Sequence, residues 1–507
     1  MKSVEGVWGM RKPNFSRLIW PGLVLAAGVI LAYVVPPLGI VALSVGFAWL
    51  TTLSLPGALA VYIIAAPFPF GLTFHHHHLN LSDVMAIMMA IRLAVSSWRE
   101  HRESLWQRWM GSPFWRPMVL LLVLSVLSLA SALAPGATVI KIFEYVEFFV
   151  VLVAITHEIS LSEDNWKLIM GALFAVAALL AIYGLYQFLF QIGPAANIVD
   201  VHHVRADAVF GQPNPFGGFE SMVFAFVAAL IGYGPKWARS WWAWAVAALV
   251  ALSVIASFSR GAWVASAAAI GFMGVVAWAL RGREMINRHF VIPGILVPII
   301  SFGAIYLLGK TNLSHSVAAP SRQTTGGRLS STVTAVLHPR GHFDMLHRLY
   351  IWKDALNAMR QHPMSGVGLG GFHRYSMLHP VAGLVLASPT AQNLYLEWGA
   401  DLGVLGIVAA LWLEWSWIRH SIGVLKARSE TLTSFQFAMG LGAFGAIVSF
   451  VVHDWVDLMI DHGVIVPLVL GLAVVWLLKG ERQVRSTTMS AGKSDGSQRV
   501  KDVASKT

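Results

Sequence analysis

Cysteine is absent from this 507-residue chain, and charge is scarce. Without cysteine there are no disulfides, no thiolate metal sites and no cysteine nucleophile. Charged residues make up 12% of the chain and hydrophobic ones 56%, with mean hydropathy +0.65. Soluble domains carry about 25% charge, so the composition excludes an ordinary soluble globule and implies a polytopic membrane protein. Acidic residues are the rarer sign, 25 against 36 basic, leaving a net charge of +11. In a soluble protein that surplus would suggest nucleic acid. Here it suits short basic loops that orient helices, and no nucleic-acid partner is expected. The first apolar run, Leu18 to Val35, lacks a small-x-small site, so no cleavable signal peptide is expected. The chain also has no Asp-x-Asp pair of the kind that holds a nucleotide sugar.

What is present is a long series of apolar segments. A spanning helix needs roughly 17–25 such residues. Candidates fall near 18–35, 38–52, 55–71, 81–97, 115–134, 137–155, 166–190, 215–233, 241–257, 261–280, 290–308, 391–418, 434–453 and 464–478. The second and third are short enough to form one broken hairpin. The expected fold is therefore an all-α, polytopic transmembrane helix bundle of about 12–14 spans. Its divisions are an arm at 1–17, eleven helices over 18–308, a loop domain at 309–390, three helices over 391–478 and a tail at 479–507. Arg11, Lys12, Arg99, Arg102, Lys236, Arg239, Arg281, Arg288, Arg419 and Lys426 then share one side. The positive-inside rule makes that side, with both termini, cytoplasmic. The tail, rich in Ser, Lys and Gly, reads as disordered.

The opposite side has few basic residues in its short loops, and two of these matter. Arg205 lies in "VDVHHVRADAVFGQPNPFGGF" and Arg260 in "ASFSRGAWVAS", a tight turn between two helices. Either is readable as a snorkelling arginine. Together they suit anion recognition, because guanidinium grips phosphate oxygens in bidentate fashion. Asn214 and Pro215 read as the cap and first turn of the next helix. In the long loop, Met345, Leu349, Trp352, Leu356 and Met359 recur at helical spacing and predict an amphipathic helix ending before Pro363, with Arg348, Lys353 and Arg360 on its other face. "GVGLGG" after it reads as a flexible turn. "TAQNLYLEWGADLGVLG" opens the twelfth segment with Gln392, Asn393, Glu397 and Asp401. The two acids share a face, and Gly399, Gly403 and Gly406 admit a close helix neighbour. "VVHDWVDLMIDHG" and the His75 to His78 run are weak candidates for a proton path or metal ligands.

These residues resemble the O-antigen ligase and Wzy-type polymerase superfamily, membrane glycosyltransferases with a GT-C-like bundle. The resemblance lies in the arginine before "GQPNPFGGF", in "SRGAW" between two helices, in the long late loop with "RLYIW" and "GVGLGGF", and in one spacing. In the ligases a His-Asn pair is followed by nine residues and Gly-x-x-Gly. Here Asn393 is followed by nine residues and then by Gly403 and Gly406. The residue in the histidine position is Gln392, which orients a hydroxyl but takes no proton near neutral pH. His379, Glu397 or His453 would then supply a base, or the diphosphate leaving group would need little base help.

The resemblance implies an enzyme of the bacterial inner membrane with its site at the periplasmic face. It implies an undecaprenyl-diphosphate-linked glycan as donor, and lipid A–core or a second lipid-linked glycan as acceptor. Arg205, Arg260 and Gln392 would be catalytic. Asn393, Arg348, Asn214, Glu397 and His379 would bind substrate, with no metal and no cofactor expected. Two other classes compete. A transporter or flippase would need mid-membrane charges, for which Arg92 and Lys141 are the candidates, and broken helices. A catalytically degenerate scaffold would follow if Gln392 marks lost chemistry.

Overall fold

The computed structural model describes residues 15–69, 71–74, 77–99, 109–194, 197–199, 203–282, 288–308, 343–380, 388–460 and 463–480. The 1–14 arm, the "SRQTTGGRLSSTVT" stretch, His75 and His76, Asp461 and His462, and the tail beyond 480 lie outside these residues.

The protein is an all-α polytopic bundle, with two small antiparallel ribbons in its loops (Gly71–Phe74 with His77–Asn80, and Ile198–Val199 with His203–Val204). The helices are α1 (Phe15–Val34), α2 (Pro36–Leu53), α3 (Leu55–Ala65), α4 (Leu81–Arg99), α5 (Trp115–Leu127), α6 (Pro135–Glu158), α7 (Glu163–Phe190), α8 (Pro213–Tyr233), α9 (Trp241–Ala256), α10 (Arg260–Arg281), α11 (Arg288–Leu308), α12 (Phe343–Gln361), α13 (Phe372–Leu378), α14 (Leu394–Leu402), α15 (Val404–Arg428), α16 (Ser434–Asp454) and α17 (Val466–Gly480). Among the described residues, α2, α7, α8, α10, α11 and α16 are long and apolar enough to cross a membrane, and shorter apolar helices accompany them.

Helices α8 and α16 form the centre. Helix α8 is buried from Phe216 to Tyr233 and packs on α16, α9 and α10. Its sequence, "FGGFESMVFAFVAALIG", is apolar nearly all round, as a helix surrounded by other helices is expected to be, with Glu220 the buried exception. Small residues set the spacing: a Cβ on Gly442 of α16 would stand 3.0 Å from the Phe226 backbone of α8. The charges on α4, α6 and α15 are met inside the bundle. Arg92 pairs with Glu158 at 2.7 Å, Lys141 with Glu144 at 2.7 Å, and Glu414 accepts the Tyr395 hydroxyl at 2.6 Å. Paired in this way, intramembrane charges are tolerable.

Two expectations change. The twelfth segment is two helices, α14 and α15, broken at Gly403. Gly403 has φ 74°, and a Cβ there would stand 2.5 Å from the Pro363 carbonyl. The break lets Val404 N–H donate to Pro363 O at 2.8 Å, tying the long loop to the bundle. Second, "GVGLGG" is a pinned turn. Gly366, Gly368 and Gly370 all take positive φ, and their neighbourhood closes on Asp401. The Asp401 carboxylate accepts Gly370 N–H at 2.6 Å and Phe372 N–H at 2.9 Å, while its carbonyl accepts Gly368 N–H at 3.0 Å. Successive amides that converge on one carboxylate form an anion nest, and only glycine reaches these φ values cheaply. The helix expected in the long loop is present as α12, ending at Gln361 before Pro363; it buries Ile351, Asp354, Ala355 and Ala358, while Leu349 and Leu356 are 37% and 36% exposed. Leu349 and Leu356 thus face outward, while Trp352 and Met359 of the same stripe are half-buried. Apolar spacing reports an apolar environment and does not distinguish protein from lipid.

Asp354 is fully buried between α12 and α13. Burial pushes its carboxyl up, against opposing pulls from Ser376 and His379. The folded state therefore binds this proton more tightly than the unfolded state. The stabilisation is present at low pH and is lost as pH rises through the folded value. The hydrogen-exchange protection of residues 343–378 should fall as pH rises above about 4, after correction for intrinsic exchange, and Asp354→Asn should flatten that dependence. An unchanged pH profile in Asp354→Asn would remove the assignment.

Candidate functional site

The residues singled out from sequence meet at the chain following α16. There the helix ends, and Trp455 to Met459 turn away from its axis. Asn393 donates from Nδ2 to Trp455 O at 2.8 Å. Arg348 donates to Val456 O. Asn214 donates from Nδ2 to Asp457 Oδ2 at 2.5 Å, and its own Oδ1 accepts from the Arg205 guanidinium at 2.7 Å. Three successive residues, 455 to 457, thus hold side chains from α14, α12 and α8, and through α8 the loop before it.

Each of these side chains is placed by local chemistry. Arg205 sits in a loop fixed by Asp207, which is buried and accepts from Gln187 at 2.7 Å and Asn197 at 2.6 Å. Burial raises the Asp207 pKa, against those two hydrogen bonds. The next residue, Ala206, donates its N–H to Ala256 O at 3.1 Å, and Arg205 Nε donates to Ser257 O at 3.0 Å. The loop is thereby stitched to the α9–α10 turn that carries Arg260. That turn has Phe258 at φ 51° and Ser259 as the N-cap of α10, accepting from Ala262 N–H at 3.4 Å. Arg260 is the first residue of α10 and is half-buried. A cation in the first turn is opposed by the helix dipole, so the position favours an anion beside it. Asn214 is not the cap expected: α8 begins at Pro213, and Gln212 precedes it without a side-chain cap. Proline at the first position leaves the Asn214 amide free of capping duty and able to bridge Arg205 and Asp457.

Asn393 caps α14, its Oδ1 accepting from Leu396 N–H at 3.0 Å. Gln392 beside it is held at φ 51°, and its side chain has no hydrogen-bond partner among the described residues. A non-glycine residue in the left-handed region is costly and often marks a functional position. The strain is held by Glu397, whose carboxylate accepts the Ala391 N–H. Glu397 is therefore buried beneath the Gln392 turn as a brace. His379 is also set apart. It is exposed, stacks on Tyr375 at 4.4 Å, and its Nδ1 faces Tyr375 O at 3.2 Å.

His453 joins the two arginine motifs. The buried imidazole lies between Gly218 of "GQPNPFGGF" and Gly261 of "SRGAW". A Cβ on Gly218 would stand 2.9 Å from Nδ1, and one on Gly261 would stand 2.8 Å from Nε2. Gly218 thus leaves room for this ring and for Met459, and Gly261 leaves room for the ring and for Val456. The sequence offered His453 as a loose base and Asp457 as a weak proton-path or metal candidate, and singled out neither Asp207 nor Gln187. The signal for these two was a polar residue amid apolar ones, which does not name a partner. Helices α8, α10 and α14 all begin here, so three positive dipole ends converge with Arg205, Arg260 and Arg348. The arrangement is built to hold an anion at one end of the bundle.

Residues 245–411 match the family model described as O-Antigen ligase. The match holds Arg260, Arg348, Gln392 and Asn393, while Arg205, Asn214 and the 453–459 segment lie beyond it. The chain is also similar to the General O-oligosaccharyltransferase of Acinetobacter baylyi, 23% identical over 249 residues, which is 48% of this chain. The matched part spans 41% of that protein's length. Both findings agree with the O-antigen ligase superfamily resemblance read from the residues.

Gly261→Ala should displace His453 and the Arg260 turn, costing about 1–3 kcal/mol as overpacking does. Asn214→Ala should leave α8 intact but free Arg205 and Asp457, with a loss of about 1–3 kcal/mol for the unpaired groups. Thermal melting of the reconstituted protein measures both, and a melting temperature equal to wild type in both would refute the hub.

Proposed function

We propose that the protein is a multi-pass glycosyltransferase of the bacterial inner membrane, with both termini cytoplasmic and the 309–390 loop domain periplasmic. It takes a glycan from an undecaprenyl-diphosphate-linked donor and passes it to lipid A–core or to a second lipid-linked glycan. The observation that carries this reading is the gathering, around the 455–457 segment, of Arg348, of Arg205 through Asn214, and of Arg260 beside Gly261, which abuts Val456, together with the N-termini of α8, α10 and α14. A diphosphate needs that kind of cradle: planar donors in fixed positions and dipoles aimed at developing negative charge.

In the reaction, the acceptor hydroxyl oxygen bonds to the anomeric carbon as the bond from that carbon to the diphosphate oxygen breaks. The electron pair leaves with the diphosphate, whose new charge is met by Arg205 and Arg260. The hydroxyl proton passes to water. Gln392, uncommitted within the described residues and held at a strained φ, orients the hydroxyl. Asn393 fixes its place by capping α14 and gripping Trp455 O. Asn214 and His453 act through the arginines as positioning residues. The transporter alternative is disfavoured by Arg92 and Lys141, the mid-bundle cations it would use, since each is ion-paired.

The test is transfer in proteoliposomes from an undecaprenyl-diphosphate glycan. Arg205→Ala and Arg260→Ala should each lower kcat/KM by about 100-fold or more, with the protein still expressed and folded, although Arg205→Ala also loses its bonds to Ser257 O and Asn214. Gln392→Ala should lower kcat more than it raises donor KM. Full activity in both arginine variants would exclude the diphosphate cradle. Transfer absent in wild type but gained in Gln392→His would point to a degenerate site.

A further inference from the structure

Helix α16 is buried along most of its length, and the chain beyond it is buried again at Asp457 and Met459. One large ring interrupts this. His453 and Asp454 are buried, whereas Trp455 is 56% exposed. Exposed apolar side chains are ordinary on the flank of a membrane helix, where lipid covers them. Trp455 is not on a flank. It stands at the end of a helix that packs against α8, α10 and α15.

Its place is in the hub. Its carbonyl accepts from Asn393 of α14 at 2.8 Å, and the next carbonyl, of Val456, accepts from Arg348 of α12. The residue is thus fastened to the bundle and, through its neighbour, to the loop domain. The ring is fixed as well. The Tyr395 ring centroid lies 4.8 Å from it, tilted by 52°, and the Tyr395 hydroxyl donates to Glu414 at 2.6 Å. Tyr395 and Glu414 are both buried. A buried carboxylate therefore anchors the phenol, and the phenol backs the indole.

The exposed part of the indole narrows what can lie on it. A phosphate has no apolar face, and the face of an aromatic ring carries negative potential, so the diphosphate is left to the arginines. A prenyl tail would cover the ring but has no partner for the amide of Gln392, the residue next to Asn393. A pyranose satisfies both. Its C–H face packs on the indole, and its hydroxyls donate to and accept from an amide.

We propose that the Trp455 indole is a sugar-stacking platform of the hub, taking the C–H face of the pyranose at the reacting end of a glycan. That this glycan is a substrate rests on the glycosyl-transfer reading above. The platform sets the height of the sugar beside the arginines and favours pyranoses with an unbroken C–H face.

The test uses the full chain in nanodiscs, in two arms. In the first, the protein carries fluorotryptophan, and the Trp455 fluorine resonance is identified by its loss in Trp455→Phe. Methyl glucoside or methyl galactoside should move this resonance and leave that of Trp241, which is 82% exposed, in place. Mannitol, a polyol with no ring face, should move neither. The second arm is transfer kinetics. Trp455→Leu should raise the KM of one glycan substrate about tenfold, the order of one aromatic contact, and Trp455→Phe should raise it less. A rise in donor KM makes the sugar the donor's, and a rise in acceptor KM makes it the acceptor's. Both variants should stay folded, because the hub holds residue 455 by its carbonyl.

Four results would each overturn the proposal. Neither glycoside moves the Trp455 resonance. Mannitol moves it as far. A lipid spin-labelled at the end of its tail broadens it, which makes the ring part of the membrane's aromatic belt. Or neither KM changes in Trp455→Leu. The resonance arm needs no turnover, so a silent transfer assay with an intact glycoside shift removes the reaction and leaves the sugar platform standing.

Discussion

The end of α16 is the constraint on which the functional end of the bundle depends. Helix hydrogen bonding stops there, and the carbonyls of Trp455 and Val456 are released for other donors. Inside a membrane protein such carbonyls must find partners or pay a desolvation cost. They find Asn393 and Arg348, and Asp457 finds Asn214. The need of one broken helix to satisfy its backbone therefore gathers side chains that lie 62, 108 and 243 residues away in the chain. Arginine suits this role, because one guanidinium can grip the protein with some N–H groups and present others to an anion.

The same logic explains the acidic residues that first draw the eye. Asp401 is consumed by a nest of amides around three left-handed glycines, and so fastens the loop domain to α14. Glu397 is consumed by Ala391 N–H, and so bends the chain at Gln392. Neither acid reaches the hub, but both decide what does. The loop domain is docked at Asp401 on one side and at Val456 through Arg348 on the other. Its position over the site is thus fixed by hydrogen bonds to backbone, with little large apolar contact: the shared interior of α12, α13 and α14 is small residues and a few rings.

Glycine has a second use here. At Gly218 and Gly261 it makes space for His453, and the two arginine motifs are held in register because one imidazole fills the gap between them. The geometry is rigid for a reason of packing: interiors near organic-crystal density leave a ring no alternative seat.

Much of this was legible in the residues. Apolar runs of spanning length and sparse charge determined a polytopic helix bundle, because in lipid a chain must satisfy its backbone within each helix. The positions of Arg205, Arg260, Gln392 and Asn393 stood out because a polar group amid apolar neighbours is expensive. The rest was decided only by the tertiary structure. Asn214 read as a cap and is a bridge; Glu397 read as a ligand and is a brace; "GVGLGG" read as loose and is pinned; the twelfth segment read as one helix and is two. His379 shares the loop domain with Arg348 yet stays apart from the hub. In each case the sequence identifies a residue that must find a hydrogen-bond partner, and periodicity places it on an element. Which partner it finds is decided by the folded chain, whether the two lie six residues apart, as Glu397 and Ala391 do, or 243 apart, as Asn214 and Asp457 do, and periodicity carries no information about the choice.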